Sequence, residues 1–151
     1  MIIVSIEERL TEYRSRINQR LQDREEHSLC LMLFDFLTSK DSFKLNYVTY
    51  GTLMQIVQCS KSEFNLLVKA TDFLTTRYVP LLDMHFEYYD DTMEDPEPVE
   101  NADVNRALAE GVLYHPVSGE TVANFSSYIY PVFRPSAELN MIRVACNKGG
   151  V

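Results

Sequence analysis

Tryptophan is missing altogether, and glycine is reduced to five residues and cysteine to three in a chain of 151. So little glycine leaves neither a Gly-x-Gly-x-x-Gly motif nor a Walker loop, which excludes the common backbone cradles for nucleotide phosphates. Cys30, Cys59 and Cys146 are odd in number and far apart, with no Cys-x-x-Cys pair, which disfavours both a disulfide framework and a zinc knuckle. Cys30, inside LCLMLF, reads instead as a core thiol.

Positive charge is short as well. Fourteen Lys and Arg stand against 22 Asp and Glu, for a formal net charge of −8. A mean field of that sign repels nucleic-acid phosphate and anionic lipid unless a local basic patch overrides it. No stretch approaches the roughly 18 apolar residues of a membrane span, and Met1 to Val4 is too brief for a signal-peptide core. A cytoplasmic location is the resulting expectation.

What is present is the composition of a folded globular protein, 46% apolar and 24% charged. The length fits one domain of the α+β class. We expect a mainly helical core over residues 5–91, an acidic loop over 92–101, and a lobe of one small helix plus a hairpin over 102–145.

Ser5 and Glu8 have capping-box spacing, and Ile6, Leu10, Tyr13, Ile17 and Leu21 recur at intervals of three and four, predicting a helix from about Ser5 to Glu26. On its other face Arg9, Arg14, Arg16, Arg20 and Arg24 are nearly cancelled by intermixed acids. HSLCLMLFDFLTS is apolar almost all round from Leu29 to Leu37, as a buried central helix would be. YVTY suits a short strand. ADVNRALAEG reads as a helix stopped by Gly111, and Val112–Tyr114 with Thr121–Ala123 as a hairpin whose turn contains Gly119. From Asp90 to Glu100, DDTMEDPEPVE reads as a solvated loop, without the spacing of a calcium-binding loop. FSSYIYPVFRPSAELNMIRVA reads as an edge strand or extended segment, followed by a loose tail, CNKGGV.

In LLDMHFEYY, Leu82, Met84, Phe86 and Tyr88 alternate with Asp83, His85 and Glu87, predicting a strand with one wet face. Alternate Cβ atoms on a strand lie about 7 Å apart, so those three polar residues need a further ligand such as His115 to hold a metal. HPVSGE contains His115, Ser118 and Glu120, yet nothing resembles a Gly-x-Ser-x-Gly nucleophile elbow. No catalytic, metal-binding or cofactor-binding set is therefore expected. Tyr88, Tyr89, Tyr128, Tyr130 and Phe133 cluster in strand-like segments beside prolines and acids, a composition suited to contact with a protein partner.

GTLMQIVQCSKSEFNLLVKATDFLTTR places Leu53, Ile56 and Val57 on one short helix face. A second capping box, Ser60 with Glu63, follows, and then Phe64, Leu67, Val68 and Leu74 on an inward face. With YVTY before it and the strand from about Val79 to Tyr89 after it, the region from Ser28 to Asp91 resembles a winged helix-turn-helix. That resemblance implies one of two functions. The first is an assembly piece, a small acidic subunit or adaptor partnering an ATPase, as acidic partners of SMC-type ATPases do, or a nuclease. The second is a DNA-binding transcriptional regulator, with Lys61, Ser62, Asn65, Leu66 and Lys69 facing the major groove and Arg77 on the backbone. Over Lys61–Thr76 two lysines are balanced by Glu63 and Asp72, which favours the protein-binding role.

Overall fold

The computed structural model describes residues 5–149, with side chains as far as Cys146. The protein is α+β, with six helices and a small antiparallel sheet among the described residues. Its described residues form two compact units, 5–83 with 134–149 and 84–133.

The larger unit is helical. Helix α1 (Ile6–Arg20) begins where the Ser5 hydroxyl accepts the Glu8 amide, and Tyr13 and Ile17 form its buried face. It ends six residues before the periodicity suggested. Leu21 caps it, and Asp23 turns the chain with a φ of 64°, a left-handed conformation that aspartate tolerates better than most residues. Helix α2 (His27–Leu37) buries Leu29, Cys30, Leu33, Phe34 and Leu37 and packs against α1, α3 (Tyr50–Val57) and α4 (Phe64–Phe73). The all-round apolar run is thus the centre of the helical unit, and burial pushes the Cys30 thiol up to about 12. YVTY supplies one isolated bridge residue, Val48, in place of a strand. Thr49 then caps α3 by accepting the Thr52 amide.

Between α3 and α4, the Ser60–Glu63 capping box forms in both directions around a 3-10 turn (Lys61–Glu63). Leu53, Val57, Leu67 and Leu74 are fully or almost fully buried. Phe64, expected in the core, is only half-buried and meets the edge of Tyr50 with ring centroids 5.3 Å apart. It stands at the first residue of α4, directly after the 3-10 turn.

The expected loose tail is also different. Cys146–Gly149 belongs to α6 (Ala137–Gly149), and residues 150–151 lie outside the described residues. Ser136 accepts the Leu139 amide, as a capping residue does, and Leu139 and Ile142 are fully buried. Glu138 accepts from Arg9 at 2.9 Å and from the Tyr13 hydroxyl at 2.7 Å, tying α6 to α1. Arg143, 6% exposed, donates to the Leu45 carbonyl and the Ser42 hydroxyl, so its buried charge is held by neutral oxygens.

The three-stranded sheet, most of it in the smaller unit, runs in the order β2 (Glu97–Val99), β1 (Leu82–Tyr88), β5 (Ile129–Pro135). Part of the expected acidic loop is therefore a strand, with Val99 opposite Phe86 and Glu97 opposite Tyr88. Its edge position tolerates Pro98, which has no N–H to donate. Helix α5 (Asn101–Glu110) ends at Gly111, whose φ of 84° favours glycine. The hairpin pairs β3 (Leu113–Tyr114) with β4 (Thr121–Val122). Tyr88, Ala107, Leu113 and Phe125 form the core of this unit.

Candidate functional site

The end of β1 delivers Tyr88 and Asp90 to one wall of a cleft of about 650 Å³ within the smaller unit, and the β3–β4 turn delivers His115. Glu120, Asn124 and Tyr128 line it further. Asp90 is the hub. Its Oδ2 accepts the Tyr88 hydroxyl at 2.8 Å and faces His115 Nε2 at 3.1 Å, while its Oδ1 accepts the Thr92 amide at 2.9 Å and the Thr92 hydroxyl.

His115 Nδ1 accepts the backbone amides of Val117 and Ser118 at 3.1 and 3.2 Å. With Nδ1 acting as acceptor, the proton of the neutral ring belongs on Nε2, which donates to Asp90. The bond from the Thr92 hydroxyl, followed by those from Tyr88, the Thr92 amide and His115, holds the Asp90 carboxyl down at about 2, against the opposing effect of desolvation. Burial, reinforced by the bond to Asp90, pushes the Tyr88 hydroxyl up to about 12.

Chemically this is a closed network. Both imidazole nitrogens are committed, and Ser118 meets His115 through its amide, while its hydroxyl accepts the Glu120 amide at 3.3 Å. The geometry thus uses His115 to hold the 115–120 turn against the end of β1. Asp83 and His85 are exposed and Glu87 is half-buried on β1, and His115 is delivered to Asp90 rather than to that trio. Among the described residues, no group of three or more His, Cys, Asp or Glu is arranged to hold a metal.

The aromatic residues expected at a partner interface divide in two. Tyr88 and Phe133 are core residues at 1% and 0% exposure, because β1 and β5 turn these positions inward, and they are not available to a partner. Tyr128 is half-buried, whereas Tyr89 and Tyr130 are exposed at 38% and 49%. Sequence reasoning missed three more exposed apolar residues of the same unit, Leu108, Tyr114 and Val117. Arg106 covers one side of Tyr114, with its guanidinium carbon 5.5 Å from the ring centroid.

The positions associated with a DNA-reading role, Lys61, Ser62, Asn65, Lys69 and Arg77, are all exposed, and Leu66 is half-buried. The arginines of the first helical stretch are not uniformly cancelled. Arg9, Arg14 and Arg16 pair with Glu138, Asp35 and Glu12, but Arg20 and Arg24 form no ion pair among the described residues. Asp90 and Thr92 were also missed, although an aspartate followed two residues later by threonine is the local pattern of an Asx turn.

Comparison of the chain with protein families, characterised proteins and solved structures finds no match.

Proposed function

We propose that the chain is a non-catalytic protein–protein interaction module, a small acidic subunit or adaptor of a larger cytoplasmic complex. The observation that supports this reading is the exposure of Tyr89, Leu108, Tyr114, Val117 and Tyr130 within the smaller unit. Aromatic side chains left in water lose little conformational entropy on docking and bring large contact areas, which is why they concentrate at protein interfaces. The winged-helix resemblance adds the expectation of an ATPase or nuclease partner. Co-purification from the native host, comparing wild type with Tyr114→Ser and Tyr130→Ser, tests the reading. A defined partner lost with these substitutions supports it, and a partner set indifferent to both removes its basis.

The exposure of Lys61, Ser62, Asn65, Lys69 and Arg77 favours a second reading, a DNA-binding winged-helix regulator. A gel shift over a range of salt concentrations tests it, since phosphate contacts weaken steeply with salt.

A further inference from the structure

In a chain with so large an acidic excess, bases without an acidic partner are the anomaly. Arg20, Arg24, Lys69 and Arg77 are all exposed, and none forms an ion pair among the described residues. The fold gathers them. Helix α1 stops at Arg20, the turn at Asp23 brings Arg24 back to the same side, α4 contributes Lys69, and Arg77 stands in the turn beyond the end of α4.

Arg20 and Arg77 meet at Tyr78, which shares a hollow with Arg24 and Lys69. The Arg20 guanidinium carbon lies 3.5 Å from the centroid of the Tyr78 ring and that of Arg77 lies 5.5 Å away, while Arg16 anchors the Tyr78 carbonyl at 2.9 Å. The ring is nearly parallel to that of Phe73, with an interplanar angle of 11° and centroids 6.3 Å apart. A guanidinium lying over a ring has its orientation fixed and keeps N–H groups at its edge for a carboxylate or phosphate. Beside it, Arg20, Arg24, Lys69, Phe73 and Tyr78 line a hollow of about 460 Å³.

We propose that Arg20 and Arg77 at Tyr78, with Arg24 and Lys69 in the hollow it shares, form a docking site for a short acidic segment of a protein partner. The proposal rests on the interaction-module reading and names the chemistry of what is bound. Two features favour a peptide over a nucleic-acid strand. Glu26 and Asp72 also line the hollow, so its positive field is local and cannot track a strand bearing a charge every ~3.4 Å along its length. The net charge of −8 opposes any extended polyanion, whereas a few carboxylates reach only the cluster.

The test is fluorescence anisotropy of the purified full chain with a labelled oligoglutamate peptide at low and moderate salt. Binding that weakens with salt is expected. It should fall about tenfold or more in Arg20→Gln/Arg77→Gln, as loss of a charge-assisted, bidentate contact implies. Arg24→Glu, an exposed substitution, should do the same while leaving the far-UV circular dichroism unchanged. Arg14→Gln, whose parent residue is already paired with Asp35, should bind like wild type. Absence of oligoglutamate binding, or equal binding by all variants, overturns the site. Tighter binding of a duplex DNA of similar charge, lost in the same variants, overturns it in favour of nucleic acid. None of these variants touches Tyr114 or Tyr130, so failure here leaves the co-purification test intact.

Discussion

His115 donates through Nε2 to Asp90 at 3.1 Å, across 25 residues of sequence, while its other nitrogen holds the amides of Val117 and Ser118. One imidazole thereby joins the end of β1 to the turn between β3 and β4. Asp90→Asn keeps the size of the side chain but presents an amide donor where only acceptors are wanted. Amide hydrogen exchange at Val117 and Ser118 should accelerate in this variant, while exchange in α2 stays unchanged. Unaltered protection at both amides would remove His115 and Asp90 from their positioning role.

The acid limb of stability follows from the same carboxylate. Its folded value, about 2, lies below the ordinary 3.8, so the charged form is favoured by folding. The stability it supplies is fully present above about 3.8 and is lost as pH falls through about 2. Thermal melts of wild type and Asp90→Asn should therefore differ most at neutral pH and converge as the pH drops through that window. A gap that stays constant down to the lower value would contradict this assignment.

Tyrosine ionisation should occur in a fixed order. Tyr78, hydrogen-bonded to Arg77 and close to the charges of Arg20 and Arg77, is lowered from 10.0, whereas Tyr13 and Tyr88 are raised to about 12, chiefly by burial. In an alkaline titration followed by tyrosinate absorbance, Tyr78→Phe should remove amplitude from the earliest phase and Tyr88→Phe from the latest. Stability owed to the neutral Tyr88 hydroxyl is present below 10.0 and disappears as pH rises through about 12. Identical early phases in wild type and Tyr78→Phe would separate Tyr78 from its arginines.

Helix α4 offers a graded test of packing. Leu67 is fully buried, Phe64 is half-buried and Asn65 is exposed. Leu67→Ala should cost about 2 to 5 kcal/mol, Asn65→Ala within about 0.5 kcal/mol, and Phe64→Ala an amount between them. Chemical denaturation of the three variants reads the order directly, and Phe64→Ala exceeding Leu67→Ala would place the wrong face of α4 inward.

These contrasts also mark what was legible in the sequence. The Ser60–Glu63 box, the stop at Gly111 and the hairpin around Gly119, whose φ is 77°, are local events, settled by residues within a few positions of one another. The all-round apolar α2 announced its central place in the same way. Helix α6 was hidden because FSSYIYPVFRPSAELNMIRVA was read through as one segment, although Ser136 directly after Pro135 is a serviceable helix start. Strand β2 was hidden by its acids and Pro98, which an edge position tolerates. The meeting of Asp90 with His115, and of Arg20 with Tyr78, depends on the tertiary fold, and no spacing rule reports it.

The most direct measurement of the central proposal is site-specific photo-crosslinking in the native host, with the reactive group at Leu108, 68% exposed on α5, and a control at Gln55, exposed on α3. The account predicts a discrete protein adduct from position 108 that is absent from position 55. A nucleic-acid adduct in its place, or no protein adduct from position 108, would contradict it.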